Sequence, residues 1–357
     1  MPTLDGLDSR AVQQAARHLA AGELLAFPTE TVYGLGARAD DDAAVARIYA
    51  AKGRPTGHPL IVHVVDAAGA VPFAATLEPA ARALIAAFWP GPLTVIVPRA
   101  ADIARAAAGG QDSIGLRSPS HPVAQALLRA AAALGVPGVA APSANGYGRV
   151  SATAAAHVAQ EFGPALWLLD GGVCPLGIES SILDCSRPGA APVLLRPGVL
   201  TRERIEQVLL RATGRGLRER DAQSPRASGT LVAHYAPAAE VRLMAAETLR
   251  SALAGRPEGG SPARLAVYSR AVFPVAGDVV HRAMPLDAAS AAHELFSVLR
   301  DFDAAGMRSI WIEQPPPGPD WEGVRDRLSR AAAAHNGAGA VPPGSTGNPS
   351  DTLSEQA

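Results

Sequence analysis

Short apolar segments alternate with alanine-rich segments along most of this chain, and proline or glycine marks many of the boundaries. Residues 78–89 have the spacing of an amphipathic helix that stops at Pro90, and the β-rich residues 93–97 follow. Alternation of this kind is typical of layered α/β domains. Strands are predicted at 23–27, 60–65, 93–97, 113–116, 166–169, 181–183 and 193–195. The predicted fold class is α/β, and its N-terminal domain is built on a twisted mixed sheet.

Serine and glycine predict where several helices begin and end. Three serines precede helical segments and are predicted to cap them: Ser9 for 10–21, Ser120 for 121–134 and Ser151 for 152–162. Another helix is predicted at 41–51, and one more begins at Thr201. Gly53 lies just past the end of 41–51, which places Lys52 at a helix exit.

The composition changes at residues 211–239, where arginine, glycine, serine and proline predominate. This pattern predicts a long irregular connector with one ordered island, HYAP at 234–237. Strands at 240–244, 265–268 and 309–313 then alternate with helices, which predicts a smaller C-terminal Rossmann-like parallel α/β domain. It lacks a G-x-G-x-x-G sequence, so nothing indicates a dinucleotide.

The predicted organisation therefore has four parts. A catalytic domain occupies 9–210, the connector occupies 211–239, and the small α/β domain occupies 240–334. The tail at 335–357 is polar and rich in glycine and proline, and we expect it to be disordered. Because structureless segments as long as the connector usually serve a function, we expect it to act as a lid, with Tyr235 reaching over the first domain's pocket.

Lys52 is the only lysine in a chain with 32 lysine and arginine residues. A lone ammonium among arginines suggests a task for a compact point charge, such as phosphate contact. The alternative is a surface lysine at a helix end, where a cation suits the helix dipole.

Other cations also lie where a strand or helix enters a restrained turn: Arg54, Arg117 and Arg196. Hydroxyl side chains accompany them at Thr29, Thr31, Ser143, Ser151, Ser180 and Ser181. Together they predict a cationic nucleotide-binding cleft, although each alone could be a cap or a surface charge. The segment around the only lysine does not match the P-loop pattern, which excludes a P-loop NTPase. His63, on the strand after the cationic loop, is either a half-buried histidine or a ligand-binding one.

The net charge of −1 argues against strong nonspecific RNA binding, but it does not exclude a local basic cleft or a weak contact with tRNA. The two cysteines, Cys174 and Cys185, have no histidine spaced as a zinc partner, so we expect reduced thiols and no bound metal. No apolar run reaches the roughly 18 residues that span a membrane. A cytoplasmic protein without membrane association is expected.

Ordered motifs resemble one family, the L-threonylcarbamoyladenylate synthases. They are FPTETVYGLG, KGRPTGHPLIVH, FWPGPLTVIV, GLRSPSHP, APSANGYGRVS, GIESSILD and LLRPG. HYAP, followed by a second α/β domain with WIEQPPP and VRDRLSRAA, resembles the two-domain form. The resemblance implies a nucleotidyltransferase that makes threonylcarbamoyladenylate from L-threonine, bicarbonate and ATP, releasing pyrophosphate. The product would supply the threonylcarbamoyl group for the tRNA adenosine beside the anticodon, through separate transfer machinery.

The resemblance also assigns site residues. It places catalysis at Lys52 and Arg54. It places threonine at Thr31, His63, Arg117, Ala141, Ser180 and Ser181. It places ATP at Lys52, Arg54, His58, Ser113, Ser143, Ser151, Arg196 and Tyr235. Mg²⁺ would arrive with ATP, and no tightly bound cofactor is implied.

Two other functions compete with this one. An RNA-binding translation factor would have a related fold with a basic concave face, but the near-neutral charge disfavours it as a sole function. A carbamoyl-transfer domain of the hydrogenase-maturation kind would share the nucleotide-binding core. Such proteins carry acylphosphatase and zinc-finger segments, and nothing in this chain resembles either.

Overall fold

The computed structural model describes residues 1–256, 264–274 and 279–336. Its first sheet has these strands: β1 Thr3–Asp5, β2 Leu25–Phe27, β3 Gly34–Arg38, β4 Ile61–His63, β5 Leu93–Pro98, β6 Ser113–Arg117, β7 Val139–Ala140, β8 Trp167–Asp170, β9 Ser181–Asp184 and β10 Val193–Arg196. The helices that accompany it are α1 Ser9–Ala20, α2 Asp42–Lys52, α3 Ala67–Ala70, α4 Pro79–Phe88, α5 Pro122–Ala132, α6 Ala155–Glu161 and α7 Arg202–Thr213.

The strand order of this sheet is β1-β8-β2-β3-β7-β4-β6-β5-β9-β10. Parallel and antiparallel pairs alternate irregularly: β4 and β6 run parallel, whereas β3 and β4 both run antiparallel to the short β7 between them. The predicted mixed sheet is confirmed. Its central strands are buried along their whole length, so the residues at their ends are held by a rigid scaffold.

Of two predicted helix boundaries, the end of α2 agrees with the structure and the start of α1 does not. α2 ends as expected: Gly53 takes a left-handed conformation (φ 61°) and its N–H bonds back to the last turn, so Lys52 is the final helical residue. The prediction that Ser9 caps α1 is wrong, because Asp8 accepts the hydrogen bond from Arg10 N.

The caps predicted at Ser120 and Ser151 are also wrong. α5 begins at Pro122, and the side chain of His121 is its N-cap. α6 begins only at Ala155, and Ser151 instead donates its hydroxyl hydrogen to Glu179. A serine before a helical pattern can bond elsewhere when the fold brings it a stronger acceptor.

The second sheet is parallel, in the order β11-β14-β12-β13. Its strands are β11 Glu240–Met244, β12 Leu265–Ser269, β13 Val279–Ala283 and β14 Ser309–Glu313, and its helices are α8 Ala246–Ala254, α9 Ala288–Ala304 and α10 Glu322–Asn336. The parallel α/β prediction is confirmed, but β13 was missed. It is an edge strand with exposed residues, so it lacks the apolar run that marks its neighbours.

Between α7 and β11 the chain contains no helix or strand, although α7 extends to Thr213, three residues into the predicted connector. The connector contacts both units of the fold, the first built on the β1–β10 sheet and the second on the β11–β14 sheet: Ala236 N donates to Gly148 O of the first unit, and Ala238 N donates to Asp303 of α9 in the second. The disorder predicted for 335–357 falls mostly outside the described residues, and α10 continues to Asn336. Both cysteines are buried and unpaired. In the described ranges no helix is long and apolar enough to cross a membrane.

Candidate active site

A cleft opens where the middle of the first sheet meets the connector. β4 and β6, at the centre of the sheet, each end in a lining residue, His63 and Arg117. α2 adds Lys52 from one side, and the connector adds Tyr235 from above. The other lining residues are Thr29, Val32, Gly34, Arg54, Ile61, Ala141, Pro142, Ser143, Asn145, Tyr147, Gly148, Glu179, Ser180, Arg196, Ser228, Gly229 and His234.

Lys52 projects into this cleft from the last turn of α2 and is only 5% exposed. Its ammonium donates to the carbonyl oxygen of Ser143 at 2.6 Å and also to that of Asn145. Burial, and next the charge of Arg54, lower the pKa of Lys52 to about 7. The Lys52 ammonium is thus fixed by neutral groups, and an anion would stabilise its charged form.

Arg54 leaves the Gly53 turn and is also buried. Its Nε donates to His58 O at 3.1 Å and its Nη2 to Pro59 O at 2.9 Å. The guanidinium lies 5.6 Å from the centre of the Tyr147 ring, a cation–π distance. Burial lowers the pKa of Arg54, yet arginine keeps its proton at any physiological pH.

Arg196, at the end of β10, is held in the same way. Its Nε and Nη2 donate to Ser180 O at 3.1 and 2.9 Å, and its Nη1 donates to Ser228 O of the connector at 2.9 Å. The hydroxyl of Ser180 also bonds to Thr94, 2.8 Å away. These contacts tie a cation of the first unit to the connector.

Arg117, at the opposite end of the cleft, differs because it has a carboxylate partner. Its Nη2 donates to Glu30 Oε1 at 2.7 Å, its Nη1 to Thr31 Oγ1 at 2.9 Å and its Nε to Gly91 O at 3.3 Å. A guanidinium has five N–H groups, so each Nη keeps one for a ligand. Arg117 can therefore still hold a carboxylate with two parallel hydrogen bonds.

His63 lies beside Arg117 and is 3% exposed. Burial, and next the charge of Arg117, lower the pKa of His63 to about 3, so the imidazole is neutral at pH 7. Its Nδ1 has no hydrogen-bond partner within the described part of the chain. A buried nitrogen without a partner is costly, and a ligand in the cleft that His63 lines would offer one.

Two connector residues, His234 and Tyr235, line the cleft. Tyr235 is 1% exposed, adopts a left-handed conformation (φ 62°), and its ring stacks on Phe296 of α9 at a centroid distance of 5.5 Å. The ring of His234 lies 4.2 Å from that of Tyr235 and 6.3 Å from that of Tyr147. A strained backbone at Tyr235 persists only because the packing around it is specific.

The structure brings most predicted site residues together. Those that line the cleft are Lys52, Arg54, His63, Arg117, Ala141, Ser143, Ser180, Arg196 and Tyr235. Thr31 bonds to Arg117, and His58 lies 2.9 Å from the hydroxyl of Tyr147. Ser113 lines a neighbouring pocket with Ile61 and Ser228, which also belong to the cleft wall.

The remaining two predicted residues lie just behind the wall. Ser151 bonds to Glu179, and Ser181 is fully buried, with a hydroxyl that has no partner among the described residues. Sequence reasoning missed five residues at or behind the site: Glu30, Asn145, Tyr147, Glu179 and His234. Glu30 and Glu179 each stand next to a predicted hydroxyl residue, in TET and ESS, and that adjacency was the available signal.

Fold and cleft together define a class: two-sheet α/β proteins in which a mixed sheet carries a buried cationic cleft and an interdomain connector borders it. Within that class, the chain belongs to the threonylcarbamoyl-AMP synthase family. Residues 17–198 match the family model described as Telomere recombination. Residues 200–333 match the model described as Threonylcarbamoyl-AMP synthase, C-terminal domain.

Individual relatives agree. Threonylcarbamoyl-AMP synthase of Bacillus subtilis is 36% identical over 329 residues, covering 90% of this chain and 92% of the relative. The protein of the same name from Pyrococcus abyssi is 41% identical over 233 residues, or 64% and 66% of the two chains. The crystal structure of P. abyssi Sua5 complexed with L-threonine superposes with a TM-score of 0.82 at 32% identity, covering 94% of this chain and 98% of the other.

Proposed function

We propose that this chain makes threonylcarbamoyl-AMP from L-threonine, bicarbonate and ATP, and releases pyrophosphate. One observation carries the proposal. The same buried cleft contains Arg117, whose free N–H groups suit a carboxylate, and three further cations, Lys52, Arg54 and Arg196. The family membership supports the same reaction, because its relatives bear the name of that activity.

The threonine would lie at the Arg117 end. The two free N–H groups of Arg117 would hold its carboxylate, and the neutral His63, Thr31 and the Ser180–Ser181 pair would offer hydrogen bonds to its amine and hydroxyl. Ala141 also lines the cleft and would suit the threonine methyl group. P. abyssi Sua5 forms a crystalline complex with the same ligand, L-threonine.

ATP would lie along Lys52, Arg54, Ser143 and Arg196, with His58, Ser113, Ser151 and Tyr235 around it. The threonine amine first attacks bicarbonate, and loss of water leaves a carbamate. A carbamate oxygen then attacks the α-phosphorus, and the bond to the bridging oxygen of pyrophosphate breaks. Lys52 and Arg54 would stabilise the charge that grows on the leaving pyrophosphate, and the rigid cleft would keep attacking and leaving oxygens in line.

Mg²⁺ would enter with ATP, bound mainly by the phosphates. In the described ranges no group of three or more histidine, cysteine, aspartate or glutamate side chains is placed to hold a metal. Glu30, which pairs with the cleft residue Arg117, and Glu179, which lines the cleft and pairs with Arg327, are both already bound to arginines. This donor set fits Mg²⁺, which commonly keeps several waters and relies on substrate phosphates. The ion would add positive charge at the phosphates.

The connector at 211–239 would act as the lid of this site. Tyr235 and His234 cover the cleft, and Ser228 accepts a hydrogen bond from Arg196. Closure would exclude water from the labile mixed anhydride, and opening would release it to machinery that transfers the threonylcarbamoyl group to tRNA. A cytoplasmic location fits those partners.

Incubation with ATP, L-threonine and bicarbonate, followed by a pyrophosphate assay, tests the proposal. Pyrophosphate release that requires all three substrates is expected. Release without threonine, or none at all with the folded protein, would refute it. An RNA-binding factor would release none, and a carbamoyl-transfer domain of the other kind would require a carbamoyl donor.

A further inference from the structure

Arg327 belongs to α10 of the second unit, yet most of its hydrogen bonds cross to the first. Its Nε donates to Glu179 Oε2 at 2.7 Å, its Nη2 to Glu179 O at 3.3 Å and its Nη1 to Pro197 O at 3.0 Å. Nη1 also contacts Asp326 at 2.7 Å. The side chain is 0% exposed, so its charge would be buried at a large cost in free energy without these hydrogen bonds.

The two residues that Arg327 holds stand next to residues of the cleft wall. Glu179 precedes Ser180, and Pro197 follows Arg196. Arg196 in turn donates to Ser180 O. The segment 179–180 and the segment 196–197 are therefore joined twice, once through Arg196 and once through Arg327. A displacement of either segment would move the Arg196 guanidinium relative to the cleft.

Glu179 itself connects Arg327 to another predicted ATP residue. Its Oε1 accepts the hydroxyl hydrogen of Ser151, while its Oε2 accepts from Arg327. Burial alone would raise the pKa of Glu179, but the charges of Arg327 and then Arg196 keep it below its usual value. Without Arg327, a carboxylate that lines the cleft would have lost its ion-pair partner close to the phosphates of ATP.

The Arg327 guanidinium also lies 5.2 Å from the centre of the Tyr235 ring. It therefore contacts the connector as well as the first sheet. Ser180 has a second anchor on the threonine side, since its hydroxyl bonds to Thr94 of β5. A change at Arg327 should therefore affect the ATP end of the cleft, at Arg196 and Tyr235, more than the threonine end, at Ser180.

We propose that Arg327 is a positioning residue through which the second unit fixes the ATP end of the cleft. By holding Glu179 and the turn after Arg196, it sets where Ser151, Arg196 and Tyr235 meet the nucleotide. The inference rests on the proposed function. It adds that ATP binding in the first unit requires a residue of the second unit.

The test compares Arg327→Met with Arg325→Met in the full chain. Arg325 lies on the same helix, and its partners among the described residues are Pro316 O and Gly318 O, both within the second unit. Calorimetry with ATP and with L-threonine, steady-state KM values and thermal unfolding are measured for each. For Arg327→Met we expect the dissociation constant and KM of ATP to rise about tenfold or more, with those of threonine changed less than about threefold. Arg325→Met should leave all four constants unchanged.

Glu179→Gln provides a second variant of nearly identical size, in case Arg327→Met does not fold. It removes the charge that Arg327 pairs with, and we expect ATP to bind about fivefold more weakly. A folded variant of either kind that binds ATP like the wild type would overturn the proposal. So would an equal loss of affinity for both ligands that follows the fall in unfolding temperature. A wild-type protein without turnover would instead refute the proposed function, and the calorimetric comparison would still stand.

Discussion

The two ends of the cleft hold their cations differently. Arg117 forms a buried ion pair with Glu30, whereas the hydrogen bonds of Lys52, Arg54 and Arg196 go to backbone carbonyls and a hydroxyl. No carboxylate in the described ranges forms a salt bridge with any of those three. The arginine at one end is therefore paired with a carboxylate, whereas the three cations at the other end form no salt bridge among the described residues and outnumber the one carboxylate of the cleft wall, Glu179, which pairs with Arg327.

The difference matches the charges of the proposed substrates. Threonine enters as a zwitterion without net charge, and a site that already contains one cation and one anion can pair with both of its groups. ATP enters as a polyanion, and cations held by neutral dipoles keep their full attraction for it. Under the proposed function, the same residue type, a buried arginine, would orient the substrate at one end and stabilise charge at the other.

Removing Lys52 should lower activity more than any other change at the ATP end of the cleft. We expect Lys52→Ala to lower kcat/KM by about a thousandfold, because a cation at the leaving pyrophosphate is lost. Lys52→Arg should also be impaired, since a planar fork cannot occupy the place of a point charge between two carbonyls. Pyrophosphate release measures both.

The matched control is Arg47→Ala, an exposed cation on the same helix that pairs with Glu23. It should retain wild-type activity. Full activity in Lys52→Arg would show that no point charge is needed, and would remove the reason for a lone lysine at this position.

Substitution at the compensated end should separate the two substrates. Arg117→Ala should raise the KM of threonine by about a hundredfold and that of ATP by much less, because a bidentate carboxylate contact is lost. Glu30→Gln should act in the same direction with a smaller effect, since it releases the arginine from its partner. Equal changes in both KM values would contradict the division of the cleft.

Proton uptake sharpens the comparison at the ATP end. The pKa of Lys52 is about 7 in the free protein, below the usual 10.5, so at about pH 8.5 most molecules carry a neutral amine. Phosphates favour the ammonium and raise that pKa, so ATP binding should take up close to one proton. Calorimetry in buffers of different ionisation enthalpy measures the uptake. The same uptake in Lys52→Met would assign the proton to another group.

The smallest expected effect concerns the connector. Trypsin should cut between Arg211 and Arg226, and ATP with threonine should slow that cleavage about threefold, because the chain that follows is anchored on Arg196 through Ser228. Threonine alone should protect less than ATP alone. Unchanged rates with ligands would reduce the connector to a tether.

The alternation of apolar and alanine-rich segments was sufficient to predict most strands of both sheets, because those elements carry their own periodicity, but β1 and β3 were not predicted. The prediction failed where a tertiary partner decided the outcome. Ser151 has the sequence context of an N-cap, yet Glu179, distant in sequence, takes its hydroxyl. β13 is an exposed edge strand without a continuous apolar run.

The cations of the site could be predicted because they stand at element ends in motifs that a family shares. Their counter-charges could not. Glu30 and Glu179 are surrounded by equally plausible hydroxyl residues, and only the folded chain shows that Arg117 and Arg327 neutralise them. Arg327 lies in a helix with other arginines, and burial alone distinguishes it.

The central claim is that the ATP end carries uncompensated charge and the threonine end does not. The most direct test is the salt dependence of both dissociation constants, measured by calorimetry on the wild-type chain between about 50 and about 500 mM NaCl, a range over which screening changes strongly. We predict that ATP binds about tenfold more weakly at the higher concentration, while threonine binding changes less than about twofold. Parallel dependences for the two ligands would contradict the account.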